Sequence, residues 1–197
     1  MVDFKTSQTK DNLMRAFAGE SQARNRYTFA AGIAVKQKQH MIADVFLFTA
    51  NQEKEHAEIF YNHLQQLSGE TIFIDGGYPI DISEDVISLL KSAHHNEYEE
   101  YQDVYQNFSE IAKQEGFLKV AQDFKNIANI EKTHGDRFQE IATLLESNQL
   151  YVSNVTCQWM CLNCGFIYEG TAVPERCPVC DHDQGYFIRI ELAPYTK

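Results

Sequence analysis

The chain predicts an all-α four-helix bundle followed by a small C-terminal β-rich domain, and three observations carry that reading. Apolar residues recur with a helical period through most of the first 146 residues. A pattern of ionisable residues is written twice: Glu20 precedes Glu53-Lys54-Glu55-His56 by 33 residues, and Glu97 precedes Glu131-Lys132-Thr133-His134 by 34. All five cysteines lie after residue 156, where the helical pattern has stopped.

The first helix is expected over residues 8–37, with Leu13, Phe17, Glu20, Ala23, Tyr27, Ala31 and Ala34 on one stripe. The second is expected over 40–67, with Ile42, Val45, Thr49, Glu53, His56, Phe60 and Leu67 inward. Residues 68–82 hold Gly69, Gly76, Gly77 and Pro79 around a β-like run, Thr71-Ile72-Phe73-Ile74. That segment is long for a bundle loop and reads as a crossover. Asp81 or Ser83 can cap the third helix, which runs to about Glu115 with Val86, Leu90, Ala93, Glu97, Glu100, Val104, Phe108 and Ile111 inward. Gly116 ends it. The fourth helix is expected from about Phe117 to Glu146, with Phe124, Ile127, Glu131, His134, Phe138, Ile141 and Leu145 on its stripe. Two helical pairs joined by a long crossover favour a ferritin-like bundle over a simple up-and-down one. Short β-prone pieces, glycines and prolines take over near residues 148–154, so residues 1–150 and 151–197 are expected as two domains.

Composition narrows the function classes. The net charge of −11 is spread along the chain with no basic stripe, which argues against a nucleic-acid partner. No run of 18 apolar residues could cross a membrane, and the N-terminus lacks the apolar core of a signal peptide. With an unpaired Cys157 among five cysteines, the cytoplasm is the expected compartment.

The informative carboxylates are those on apolar stripes. Glu20, Glu53, His56, Glu97, Glu100, Glu131 and His134 all face their own helix's core. Burying one unpaired carboxylate costs several kcal/mol or forces protonation. Five together call for cations, and two divalent ions nearly balance them. The i, i+3 pairs Glu53–His56, Glu97–Glu100 and Glu131–His134 each point both side chains the same way. Oxygen ligands with a few imidazoles suit iron or manganese. The alternative is a hydrogen-bonded face without metal, against which the duplication of the pattern counts. His63, His94 and His95 do not recur and read as surface or packing residues, whereas Glu55, Glu58 and Glu99 read as solvated. Tyr27 and Tyr105 lie on or beside inward faces at comparable places in the two halves. Each is expected to bond a metal-bound carboxylate or to serve as aromatic core.

Cys161-x-x-Cys164 and Cys177-x-x-Cys180 form two knuckles that can grip one ion tetrahedrally. A domain of this size needs such a staple. Four thiolates suit zinc or iron: zinc would make the module structural, iron a one-electron carrier. Cys157 is off the pattern.

Taken together, the chain resembles the rubrerythrin family over essentially its whole length. The resemblance rests on Ala18-Gly19-Glu20-Ser21-Gln22-Ala23-Arg24-Asn25-Arg26-Tyr27, on Glu53-Lys54-Glu55-His56 and Glu131-Lys132-Thr133-His134, and on a rubredoxin-like tail with Cys-Gly-Phe-Ile-Tyr-Glu-Gly and Cys-Pro-Val-Cys. The third helix is aligned on Val104-Tyr105 and Phe108; Gln106 stands where the family usually carries Pro, and a slip there would disturb Glu97 and Glu100 first. The resemblance implies two irons held by Glu20, Glu53, Glu97 and Glu131, with Glu53 and Glu131 bridging and His134 capping one iron. Glu100 and His56 would be alternative ligands of the other, and these seven residues with Tyr27 would form the catalytic set. It also implies iron at Cys161, Cys164, Cys177 and Cys180. The implied activity is peroxidase, reducing hydrogen peroxide to water in oxidative-stress defence. Electrons would come from NAD(P)H through a reductase or rubredoxin, and a head-to-tail homodimer or larger assembly would bring one chain's cysteine site near the other's di-iron site. Rival readings are a ferroxidase or iron-handling protein, and a non-enzymatic metal-binding protein with a zinc-ribbon tail.

Overall fold

A computed structural model describes residues 2–194. Four long helical rods form a ferritin-like bundle. Helix α1 (Gln8–Lys36) starts where the Ser7 side chain accepts a hydrogen bond from the Lys10 amide. It turns through Lys38, whose φ is +58°, into α2 (His40–His63). The expected 40–67 helix thus ends at His63, and Leu67 is buried in a short 3-10 turn instead.

The crossover forms no strand at Thr71–Ile74, contrary to the β-like run in the sequence. Among the described residues no partner strand lies beside it, and Phe73 is 88% exposed. Helix α3 (Val86–Glu99) is capped by Asp85, which accepts from the Ser88 amide, rather than by Asp81 or Ser83. Those two are otherwise engaged: Asp81 accepts from Arg26 and Asn96, and the Ser83 hydroxyl accepts from the Asp85 amide.

The third rod is not a regular α-helix. Residues Glu100–Val104 form a π turn between α3 and α4 (Tyr105–Glu115). The inward stripe expected at Val104 therefore slips by one residue: Val104 is 36% exposed and Tyr105 only 1%. The slip has a plain cause. Glu20 and Tyr27 are seven residues apart, about 20° short of two α-helical turns, whereas Glu97 and Tyr105 are eight apart, about 80° past them. The wider π turn absorbs the extra residue and returns Tyr105 to the interior. Gly116, at φ +94°, closes α4, and α5 (Leu118–Glu146) completes the bundle.

Two apolar clusters fill the bundle. One, around Phe46, Leu90 and Phe138, lies toward the C-terminal domain, and the other, around Leu13, Phe60 and Phe124, lies toward the opposite end. Between them sits a layer of buried Glu and His. Fully burying each Phe contributes roughly 1.5–3 kcal/mol, which helps to hold that polar layer in place.

The tail folds as a three-stranded antiparallel sheet in the order β2-β1-β3, from β1 (Val152–Cys161), β2 (Ile167–Ala172) and β3 (Phe187–Arg189). Trp159, Val173 and Phe187 make its core with Cys161 and Cys177. It docks on the α1–α2 turn. Tyr186 stacks on His40 at 3.9 Å, Tyr151 donates to Gln39 at 2.7 Å, and Ile188 joins the bundle cluster. Gly185 is packed so closely that a Cβ there would lie 1.8 Å from the Lys38 carbonyl oxygen.

Candidate metal centres

Each helical rod delivers carboxylate to the mid-bundle layer: α1 brings Glu20, α2 Glu53 and His56, α3 Glu97, and α5 Glu131 and His134. All six residues are buried. Their ligand atoms fall into two groups of four, each group within 4.8 Å: Glu20, Glu53, His56 and Glu131, and Glu53, Glu97, Glu131 and His134. Glu53 and Glu131 belong to both. The arrangement is that of two adjacent ion positions sharing two carboxylates, with an imidazole at each end. The rings of His56 and His134 lie nearly parallel, 5.6 Å apart.

The hydrogen-bonding pattern tests whether metal fits. Glu20 Oε2, Glu53 Oε1, Glu97 Oε2, both Glu131 oxygens and His134 Nδ1 are buried without a hydrogen-bond partner. Such atoms are rare in folded proteins because each leaves a desolvation cost uncompensated. Here they converge. His134 Nδ1 lies 2.9 Å from Glu131, 3.0 Å from Glu53 and 3.5 Å from Glu97, while His56 Nδ1 lies 3.0 Å from Glu131 and 3.2 Å from Glu53. Cations supply what these lone pairs lack, so the residues fit a di-iron centre.

Without cations, protons must do the balancing. Burial, followed by the charges of Glu131 and Glu53, pushes Glu20 well above the usual carboxylate range. Burial and the Glu53 charge raise Glu97 to about 8. Burial opposes charge on His56, but the nearness of the Glu131 and Glu53 carboxylates prevails and raises it to about 10. Burial also works against ionised Glu53, yet the two imidazoles outweigh it and hold this carboxyl well below its ordinary value. The cluster is built to carry positive charge.

Two phenols brace it crosswise. Tyr27 on α1 donates to Glu97 on α3, and Tyr105 on α4 donates to Glu20 on α1 at 2.5 Å. Glu100 is the one inward carboxylate outside both groups. It lies in the π turn, on the wall of a cavity of about 240 Å³ that Gly19, Tyr78 and Tyr105 also line. Burial and the Glu97 charge raise its pKa well above normal. Gln52, which nothing in the sequence distinguishes from an ordinary helix-surface amide, contacts His134 Nε2 at 3.0 Å. Of the residues expected on the surface or in packing roles, His95 is exposed and His63 pairs with Asp123 at 2.8 Å.

The four cysteines also come together. Cys161–Cys180 and Cys164–Cys177 sulfurs are each 3.7 Å apart, and all four lie within 4.8 Å. A tetrahedral ion with metal–sulfur bonds of ~2.3 Å has sulfur–sulfur edges of ~3.8 Å. The His182 amide lowers the Cys180 thiol to about 6, whereas burial pushes Cys161 up to about 12. Cys157 stays apart, its sulfur 3.9 Å from the Gly170 carbonyl.

Comparison with known proteins agrees with this geometry. The rubrerythrin family model matches residues 11–142, and the model of the rubrerythrin rubredoxin-like domain matches residues 159–188. A rubrerythrin from Clostridium perfringens (strain 13 / Type A) is 41% identical over 188 residues, covering 95% of this chain and 96% of the relative. Among solved structures, nigerythrin in a mixed-valence state aligns with a TM-score of 0.62 at 25% identity, covering 96% of this chain and 88% of that one. A bacterioferritin from Desulfovibrio desulfuricans aligns at TM-score 0.63 and 22% identity over 72% of this chain and 82% of its own, a likeness of fold.

Proposed function

Since the chain belongs to the rubrerythrin family, we propose that it is a non-haem di-iron peroxidase reducing hydrogen peroxide to two waters. The observation that carries this reading is the pair of ligand groups sharing Glu53 and Glu131. When bound, an adjacent ferrous pair supplies the two electrons that O–O cleavage requires. The chain does the rest. Glu20, Glu53, Glu97 and Glu131 carry four negative charges, which two divalent cations cancel, so the buried layer is neutral when loaded. The apolar clusters on either side keep bulk water from the bundle interior. Tyr27 and Tyr105 hold the end carboxylates Glu97 and Glu20 in place, leaving an oxygen of each directed at the cluster. On this reading Glu100, which lies on the cavity wall outside both ligand groups, would exchange with His56 as a ligand.

Electrons would enter singly through iron at the four cysteines, from an NAD(P)H-fed reductase or a rubredoxin. Along α2 the step from His40, on which the tail rests, to Glu53 is about 20 Å. A head-to-tail homodimer would shorten that path by bringing one chain's cysteine site to the other's bundle. Cysteines outside any disulfide, as these five are, fit a reducing cytoplasm.

The test is an anaerobic one. Protein loaded with iron and fully reduced should consume one hydrogen peroxide per di-iron site in a rapid burst, and much faster than it consumes oxygen. Faster reaction with oxygen would favour the ferroxidase reading, and zinc at both sites with no burst would favour the non-enzymatic one.

A further inference from the structure

The two imidazoles of the cluster are not held alike. His134 presents Nδ1 to Glu53, Glu97 and Glu131 at 2.9–3.5 Å. Its other nitrogen, Nε2, lies 3.0 Å from Oε1 of Gln52. An imidazole nitrogen that ligates metal must offer its lone pair, so the ring proton sits on the opposite nitrogen. Nε2–H then donates to the Gln52 carbonyl oxygen, which fixes both the tautomer and the plane of the ring. The contact spans two helices: Gln52 precedes the shared carboxylate Glu53 on α2, and His134 follows the other, Glu131, on α5. His56 presents Nδ1 to Glu131 and Glu53 at 3.0 and 3.2 Å. Among the described residues, none bonds its Nε2.

We propose that Gln52 is a positioning residue that fixes the tautomer and ring plane of His134 as a metal ligand, a support that His56 lacks. The proposal rests on the two-metal reading of the cluster but not on peroxide as the oxidant. An outer partner of this kind typically changes metal affinity by about 10–100-fold. The effect should be confined to the ion position formed by Glu53, Glu97, Glu131 and His134.

Two measurements test it. Cobalt(II) titration of the metal-free protein should show two ions in the bundle besides the one taken by the cysteines. In Gln52→Leu, one bundle ion should bind about 10–100-fold more weakly and the other nearly as before, while Gln52→Glu, which keeps an acceptor, should bind both. Nitrogen-resolved NMR of the unaltered zinc-loaded protein should show a slowly exchanging His134 Nε2–H proton and a faster one on His56. Equal cobalt affinities in the unaltered protein and Gln52→Leu would overturn the proposal alone, as would equal exchange at the two rings. Fewer than two bundle ions in the unaltered protein would overturn the two-metal reading and the proposal with it. The NMR comparison needs no variant, so it stands even if Gln52→Leu fails to fold.

Discussion

Tyr105 donates its phenolic hydrogen to Glu20 across the bundle, from α4 to α1, at 2.5 Å. The bond is fully buried, and Tyr27 makes the reciprocal one to Glu97. Tyr105→Phe removes the donor but keeps the ring against Phe60 and Phe124. A buried acceptor left without its donor costs about 1–3 kcal/mol. The expected outcome is a lower Tm for the metal-free protein and about 10–100-fold weaker binding of one bundle ion, measured by calorimetry and metal titration.

Protons and metal compete for the same cluster, which sets the sign of its pH dependence. Glu97, raised to about 8, and His56, raised to about 10, bind more protons folded than unfolded. Their stabilising effect is complete below the ordinary values of 4.5 and 6.5 and disappears as pH climbs through about 8 and about 10. Depressed Glu53 acts oppositely, but its contribution is already complete above 4.5. The metal-free protein should therefore melt at progressively lower temperature from pH 5 to pH 10. Metal-loaded protein should not show that decline, and scanning calorimetry of both forms across this range checks it.

Cys161 is buried in the four-sulfur site and belongs to neither carboxylate group. Cys161→Ser should abolish NAD(P)H-coupled turnover while leaving the single burst of peroxide consumption by prereduced protein intact. Coupled turnover that survives the substitution would remove the relay from the proposed function.

Gly185 is where the tail meets the bundle, and the obstacle to any side chain is a backbone carbonyl rather than a flexible tip. Gly185→Leu should lift the tail from the α1–α2 turn, break the Tyr186–His40 stack and expose residues 147–151 to protease. Overpacking of this kind costs typically about 1–3 kcal/mol. The bundle's metal content should not change.

Much of this arrangement is legible in the sequence, because burying charge is costly enough to leave a pattern. Glu20, Glu53, His56, Glu97, Glu100, Glu131 and His134 stand out as ionisable residues in apolar stripes, and the bundle brings all but Glu100 into the two ligand groups. The cysteine spacing is similarly explicit, since a tetrahedral ion fixes the geometry of two knuckles. What stays hidden depends on contacts between distant segments. The run Thr71–Ile74 has strand-forming residues but, among the described residues, no strand to pair with. Val104 continues a regular helical count, and only the demand for Tyr105 at Glu20 shows that the count breaks. Gln52 resembles any surface amide until α5 is packed beside it.

The π turn has a consequence for symmetry. The two halves of the bundle repeat one spacing of ligands and tyrosines except for one surplus residue between Glu97 and Tyr105, much as a dislocation interrupts an otherwise regular lattice. Such a defect cannot relax while both ends of the rod are fastened, one by Glu97 in the cluster and one by Tyr105 at Glu20. Excising a single residue from 100–104 would heal it, giving a regular α-helical rod with Tyr105 seven residues from Glu97, as Tyr27 is from Glu20. The price would be the loop of helix that sets Glu100 apart, and with it whatever the two ends of the site do differently.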